Sequence, residues 1–208
     1  MRYGQIIDLN RCIGCAACVM ACQTENGTPH KVYWNNMVFE ETGVYPNAVR
    51  RHMPKACMHC QDAPCVNACP TGASYYDENG VVRVNHEECI GCSTCIAACP
   101  YDARHLNTVD PLVDSYWGEG FEATPNQVAR ADRNPIDKVS KCTLCAERVA
   151  EGDEPKCVQT CLTRARYFGD LDDPESEISK KMVELGAKAY LPELGTNPSV
   201  CYVGTCVS

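Results

Sequence analysis

The chain has 208 residues, among them 18 cysteines but only 3 phenylalanines and 2 tryptophans, and its formal net charge is -8. The acidic balance and the scattered lysines and arginines exclude a nucleic-acid-binding surface. Many cysteines beside few aromatic residues indicate that inorganic groups fill much of the interior.

The N-terminal sequence, MRYGQIIDLNRCIGC, contains neither an apolar segment nor a twin-arginine pair, so we expect no signal peptide of the chain's own. No stretch approaches the roughly eighteen apolar residues that a transmembrane helix requires. On these features alone, the chain would be cytoplasmic.

The predicted elements begin with a short strand, Tyr3–Asp8, which leads into the first cysteines and a helix over Ala16–Glu25. The insertion at 23–56 predicts a pair of strands with a turn at Glu40–Gly43. Its aromatic residues, Trp34 among them, either cover a buried group or form a docking surface. The sequence does not decide between the two.

The second half of the chain begins with a hairpin, for which Asn79–Gly80 is a favoured turn pair. The insertion at 100–141 has many turn residues and no periodicity, so it predicts a wrapping loop, with Tyr116–Trp117 as a partner contact. A strand over Ala165–Leu171 follows.

The C-terminal region predicts a helix with Asp173 as N-cap and an end at Gly186. The tail beyond it is rich in turn residues, and we expect it to be extended and to lie on the surface. It carries Cys201 and Cys206, which are either free thiols or, in an oxidising compartment, a disulfide.

The other sixteen cysteines form four runs of four. The third run, closed by Pro100, matches C-x2-C-x2-C-x3-C-P of bacterial ferredoxins, in which three cysteines hold one [4Fe-4S] cluster and the fourth holds its neighbour. The second run has two extra residues, and eleven residues separate the middle cysteines of the fourth. Gly14 gives the first run the backbone freedom to wrap a cluster.

The gaps between successive runs are 34, 19 and 42 residues. Only the middle gap resembles the linker of a two-cluster ferredoxin, so runs two and three form one predicted module, and runs one and four another. The ferredoxin ligand order then predicts four clusters, A to D. Their ligands are Cys12, Cys15, Cys18 and Cys161 for A; Cys22, Cys142, Cys145 and Cys157 for B; Cys57, Cys60, Cys65 and Cys99 for C; and Cys69, Cys89, Cys92 and Cys95 for D.

The predicted fold class is α+β, with two nested ferredoxin-like modules, long irregular insertions and an extended C-terminal tail. The outer module comprises 1–56 and 139–208, the inner module 57–105, and the segment 106–138 is a wrapping loop or partner contact.

Other chemistry fits the motifs less well. Zinc sites would place cysteines in pairs rather than triplets, and the C-x-x-C-H motif of haem attachment is absent. We expect His59 to contact backbone rather than metal, because its cluster already has four thiolates. No nucleotide fingerprint or nucleophile–base pair is present, so the chain is predicted to relay electrons without catalysing substrate chemistry.

The sequence resembles the four-cluster iron–sulfur (beta) subunit of complex molybdopterin oxidoreductases, the dimethyl sulfoxide reductase family. The resemblance rests on YGQIIDLNRCIGCAAC, CMHCQDAPCVNACPTGA, ECIGCSTCIAACPYDAR and KCTLCAERVAEGDEPKCVQTC. The segments YFGDLDDPES and LPELGTNPSVCY are most similar to the polysulfide and arsenate reductase branch. The departures are Leu162, where the family usually has proline, and Cys201, where it often has tyrosine.

The resemblance implies that four [4Fe-4S] clusters carry electrons to or from a large catalytic subunit, which alone holds molybdopterin. That partner would be a polysulfide, thiosulfate or arsenate reductase, or a catechol dehydroxylase or pyrogallol transhydroxylase. A membrane anchor or another donor would complete the complex, and the folded chain would be exported with its partner. The alternatives are a relay subunit of a hydrogenase or formate dehydrogenase complex, and a free polyferredoxin.

Overall fold

The structure is a computed structural model that describes residues 1–29, 31–108, 110 and 122–207. The predicted contact at Tyr116–Trp117 lies outside the described residues. The strands within them are β1 (Tyr3–Asp8), β2 (Asn35–Thr42), β3 (Val49–Ala56), β4 (Ser74–Tyr76), β5 (Val82–Val84), β6 (His105–Leu106), β7 (Val139–Ser140), β8 (Arg166–Asp170), β9 (Lys188–Ala189) and β10 (Val200–Val203). The α-helices are α1 (Ala17–Asn26), α2 (Pro64–Asn67), α3 (Thr94–Ala97), α4 (Pro125–Ala129), α5 (Ala146–Ala150), α6 (Lys156–Gln159) and α7 (Glu177–Glu184).

A four-stranded sheet in the order β8, β1, β10, β9 joins distant parts of the chain. β1 runs parallel to β10, with Gln5 opposite Val200, and antiparallel to β8, with Gln5 opposite Phe168. The predicted strands at β1 and β8 and the predicted helix at α1 are confirmed. Because β1 leads into the first cysteine run and β8 follows the fourth, the sheet brings these two runs together.

The C-terminal tail departs from its prediction. All four residues of Val200–Val203 are buried as β10, so the expectation of a surface tail is wrong for this segment. The sequence VCYV can be covered on both faces, and β1 offers it a free edge opposite β8. Cys201, which lies in this strand, and Cys206 are free thiols.

Helix α7 begins later than predicted. Ser176, not Asp173, is its N-cap, and the Ser176 hydroxyl accepts a hydrogen bond from a backbone N–H three residues on, at 3.2 Å. The Asp173 carboxylate instead accepts a backbone N–H within the preceding turn. Ile178 packs against Ile6 of β1, and the helix stops before Gly186, as predicted.

The shorter elements surround the cysteine runs. The predicted hairpin at Asn79–Gly80 is confirmed as β4 and β5. The first insertion forms the hairpin of β2 and β3, but its strands extend through Thr42, so the turn predicted at Glu40–Gly43 is wrong. In the predicted wrapping loop, the described residues include α4 and the pairing of β6 with β7. None of the described helices has the length and hydropathy to cross a bilayer.

Candidate metal centres

One cavity is lined by four thiols from the two ends of the chain, here called group A. These are Cys12, Cys15, Cys18 and Cys161. The first follows β1, the third lies on α1, and the last precedes β8. Gly14 has φ +68°, and a Cβ there would lie 3.0 Å from the ring of His52. The Nε2 atom of His52 donates to the carbonyl oxygen of Cys12 at 2.9 Å, which ties β3 to this loop.

A second cavity is lined by the thiols of group B. These are Cys22, Cys142, Cys145 and Cys157. Cys22 is four residues after Cys18 on α1, so the two thiols lie on one helix face and belong to different groups. Cys57 also lines the group B cavity, which brings a cysteine of the second run next to those of the fourth.

The remaining eight thiols of the four runs form two further groups. Group C consists of Cys60 and the three cysteines whose charges raise its pKa, namely Cys57, Cys65 and Cys99. Group D lines a cavity of its own with Cys69, Cys89, Cys92 and Cys95. The helices that carry the third cysteine of these runs, α2 and α3, pack against each other, as α1 packs against α6.

Five thiols of groups B and C have raised pKa values, which favours their neutral form; they are Cys22, Cys60, Cys65, Cys142 and Cys145. Burial, with the charges of its neighbouring cysteines, raises the pKa of Cys22 well above its ordinary value. Burial also raises the pKa of Cys145 to about 11 and that of Cys60 to about 12. Because metal ligation requires thiolates, filling either site must release protons.

Several thiols near the surface have the opposite shift. Burial alone would raise the pKa of Cys69, but hydrogen bonds from the backbone N–H of Ser74, at 3.4 Å, and from Thr71 lower it to about 7. A hydrogen bond from the side chain of Thr94 lowers the pKa of Cys92. Donors aimed at sulfur favour the thiolate, which is the state that binds iron.

The first insertion forms part of the walls of the group A and group B cavities. Trp34 is 3% exposed, packs against Cys22 and Cys142, and donates from Nε1 to the Ser140 hydroxyl at 3.0 Å. Trp34 is therefore part of the cover over group B and is not an exposed docking residue. The tip of the hairpin, where Tyr45 is 91% exposed, remains open to solvent.

Three buried cations near the thiols were not identified from the sequence. They are Arg104, Lys141 and Arg166. Arg166 is the single cation in the predicted strand at Ala165–Leu171, and Lys141 directly precedes Cys142. These positions are the only signals that the sequence offers, because long cationic side chains usually point to solvent.

His59, which lies between Cys57 and Cys60 in the sequence, is fully buried. Within the described residues neither of its ring nitrogens has a hydrogen-bond partner, so the expected contact with backbone is absent. Burial lowers its pKa well below the ordinary value, and the charges of Lys141 and Arg104 lower it further. The imidazole is therefore neutral at physiological pH.

The donor set around the thiols fits a sulfide-containing cluster. The Nε and Nη2 atoms of Arg104 are buried and, in the described part of the chain, have no hydrogen-bond partner. Buried donors of this kind are rarely left unpaired, and the sulfides of an iron–sulfur cluster are acceptors. No three His, Cys, Asp or Glu side chains among the described residues converge closely enough to hold a single metal ion.

Comparison with known families identifies the class of these centres. Residues 49–114 and 106–171 match one 4Fe-4S dicluster domain family, and residues 11–73 match another. The chain is therefore an iron–sulfur protein with ferredoxin-like dicluster domains. The matched ranges run across neighbouring cysteine runs and do not delimit the two predicted modules.

Relatives extend the similarity to nearly the whole chain. The arsenate respiratory reductase iron–sulfur subunit of Shewanella sp. is 39% identical over 98% of this chain and 96% of its own length. A chain of the polysulfide reductase of Wolinella succinogenes is 37% identical, over 97% and 94% respectively. A subunit of the selenate reductase of Mesobacillus selenatarsenatis is 36% identical, over 98% and 72%.

The chain belongs to the family of iron–sulfur subunits of molybdopterin reductases, as its motifs predicted. Its function is to relay electrons within an oxidoreductase complex that includes a catalytic partner.

Proposed function

We propose that the thiols of groups A, B, C and D each hold one [4Fe-4S] cluster, in a relay that serves a molybdopterin catalytic subunit. The observation that supports the proposal is that the thiols of groups A, B and D line three separate cavities, and that the charges of Cys57, Cys65 and Cys99 act on Cys60 in group C. Four thiolates are the ligand demand of one such cluster. When bound, the clusters supply one-electron carriers.

The four sites form a path in the order A, B, C, D. Cys18 and Cys22 lie one helical turn apart on α1, which makes A and B neighbours. Cys57 of group C lies in the wall of the group B cavity, which makes B and C neighbours. At the two ends of the path, Cys15 of group A and Cys92 of group D are exposed. Electrons would therefore enter at one end and leave at the other.

The modules of this relay are the outer one, 1–56 with 139–208, and the inner one, 57–105. The packing of α1 on α6 and of α2 on α3 supports this division. The catalytic partner would be a reductase for an oxyanion or a sulfur compound, because relatives of nearly the same length serve arsenate and polysulfide reductases. We propose that the folded chain is exported with that partner, and that a membrane anchor or another donor supplies its electrons.

Iron and acid-labile sulfide analysis of the anaerobically purified complex tests the cluster count. About sixteen irons per chain are expected if each site holds a [4Fe-4S] cluster. Near-zero iron with stoichiometric zinc would refute the assignment. The composition of the complex isolated from native cells tests the partner: a large molybdenum-containing subunit is expected, whereas a hydrogenase subunit or a lone chain would support the alternatives.

A pair of cysteine variants tests the ligand sets. Cys92→Ser should alter the electron paramagnetic resonance (EPR) signal of site D alone, because no other group contains this thiol. Cys206→Ser is the matched control, since this free thiol lies outside the four groups and should leave all four signals unchanged. Loss of a second signal in Cys92→Ser would contradict the division into four sites.

A further inference from the structure

Three buried cations lie among the cysteine groups without acidic partners. Arg104, Lys141 and Arg166 are 3%, 2% and 5% exposed. None of the three forms an ion pair with a carboxylate in the described part of the chain. Buried cations are rare unless they are paired with negative charge. Their counter-charge must therefore come from the surrounding cysteines, which become thiolates when they bind a cluster.

Arg166 lies between groups A and B and lines both cavities. Its Nη2 is 3.5 Å from the Sγ atom of Cys18 in group A, and its Nη1 is 3.6 Å from the Sγ atom of Cys157 in group B. Its guanidinium also donates to two uncharged acceptors, the side-chain amide oxygens of Gln5 at 3.2 Å and Asn35 at 3.4 Å. Burial alone would lower the pKa of Arg166, but the two thiolates raise it, so its charge is permanent.

Lys141 occupies the corresponding position between groups B and C. Its Nζ donates to the carbonyl oxygens of Val82 and Cys142, which fix the ammonium inside the protein. Val82 packs in the same buried core as Cys57 and Cys60, so these two hydrogen bonds place the ammonium beside both groups. Burial lowers the pKa of Lys141, and the charges of Cys57 and Cys65 of group C and of Cys142 of group B counteract that shift.

Arg104 occupies the next position, between groups C and D. Its Nη1 donates to the hydroxyl of Ser74 at 2.8 Å, and its other guanidinium donors include the two unpartnered atoms described above. Ser74 lines the group D cavity, which places Arg104 at that site. Burial alone would lower the pKa of Arg104, but the charges of Cys65 and Cys57 of group C and of Cys95 of group D raise it. One cation therefore lies at each of the three boundaries along the path.

We propose that Arg166, Lys141 and Arg104 each raise the reduction potentials of two neighbouring sites at once, an inference that rests on the four-site relay proposed above. The negative charge added at a site on reduction is stabilised by a fixed cation a few ångströms away. This stabilisation is strong because no water screens it inside the protein. A cation shared between two sites shifts both potentials in the same direction, which keeps adjacent steps of the relay close in energy.

The test replaces the cation between A and B in the intact complex. Arg166→Gln keeps an amide donor and removes the charge. Arg164→Gln makes the same change of net charge at an exposed position two residues away, where solvent screens it. Potentiometric titration followed by EPR should show the reduction equilibrium constants of A and B falling at least tenfold in Arg166→Gln, about 59 mV for a one-electron couple. C and D should shift much less, and Arg164→Gln should leave all four potentials unchanged.

Several outcomes would overturn the proposal. These are a shift at only one of the two sites, an equal shift at all four, or the same shift in Arg164→Gln. If Arg166→Gln loses iron, the titration is repeated with Lys141→Gln and Arg104→Gln. If all three variants lose iron while the wild type and Arg166→Lys keep their full iron content, the cations are required for cluster assembly. That result would also refute the proposal. A wild-type chain with fewer than about sixteen irons would instead refute the four-site relay.

Discussion

Trp34 should be the residue of the first insertion on which site B most depends. Its indole is buried against Cys22 and Cys142, and its Nε1 donates to the Ser140 hydroxyl. A buried tryptophan removes about 150–250 Å² from water, which is worth roughly 4–6 kcal/mol at about 25 cal/mol per Å². Trp34→Ala should therefore cost about 3–5 kcal/mol, the usual range for truncating a buried aromatic residue.

The conservative variant separates packing from hydrogen bonding. Trp34→Phe keeps most of the apolar contact and loses one hydrogen bond, so it should cost only about 0.5–1.5 kcal/mol. The Ser140 hydroxyl would not be left unpaired, because it also donates to the amide oxygen of Asn107 at 2.8 Å. Tyr45→Ala is the matched control, since this aromatic residue of the same insertion is exposed.

The assay is the rate at which visible cluster absorbance is lost in denaturant under anaerobic conditions, with iron per chain measured at intervals. If most of the destabilisation appears in the unfolding rate, about 3 kcal/mol corresponds to a rate increase of roughly a hundredfold for Trp34→Ala. EPR should show site B lost first. Equal rates for Trp34→Ala and Tyr45→Ala, or loss that begins at another site, would refute the role of Trp34 as the cover of site B.

Three further predictions concern other parts of the chain. Gly91→Ala should disrupt site D, because Gly91 has φ +68° and a Cβ there would lie 2.3 Å from a backbone oxygen. The control Gly72→Ala, at a residue with φ +74° and no atom within 4 Å, should cost only the strain of the left-handed backbone, about 1–2 kcal/mol. Equal iron content in the two variants would contradict this reasoning. Tyr202→Phe should lower the free energy of unfolding by about 1–3 kcal/mol, because it leaves a buried carbonyl acceptor in β3 without its 3.0 Å hydrogen bond. An unchanged denaturation midpoint would contradict this and would show that water replaces the hydroxyl. Burial lowers the pKa of His86, so the folded state favours the neutral imidazole and loses stability as pH falls below about 6.5. His86→Gln should reduce this loss at acid pH. Curves of unfolding free energy against pH that run parallel for the variant and the wild type from about pH 7 to pH 5 would exclude the effect.

Much of the fold near the cysteines could be predicted because its signals are local. The strand Tyr3–Asp8, the helix after Cys15 and the hairpin at Asn79–Gly80 follow from short-range periodicity and turn chemistry. The start of α7 was misplaced because Asp173 and Ser176 are both good N-caps in a short polar stretch, and the packing of Ile178 on Ile6 favours the later start.

The burial of single residues could not be predicted in the same way. Nothing local distinguishes Arg166, which lies inside the protein, from Arg164, which is exposed two residues earlier. Trp34 could equally have been part of a docking surface. In each case the environment is made by segments far away in the chain, such as Ser140 for Trp34.

The sequence by itself determined the chemistry of this protein, because the spacing of cysteines within a run is covalent and repeats the ligand pattern of a known cluster. Only the tertiary structure decided that Val200–Val203 completes the central sheet and that a cation lies at each boundary between cysteine groups. Both depend on contacts between residues distant in the sequence, such as Arg166 with Cys18. Such contacts form because burial of the whole chain stabilises them, and no local spacing records that free energy.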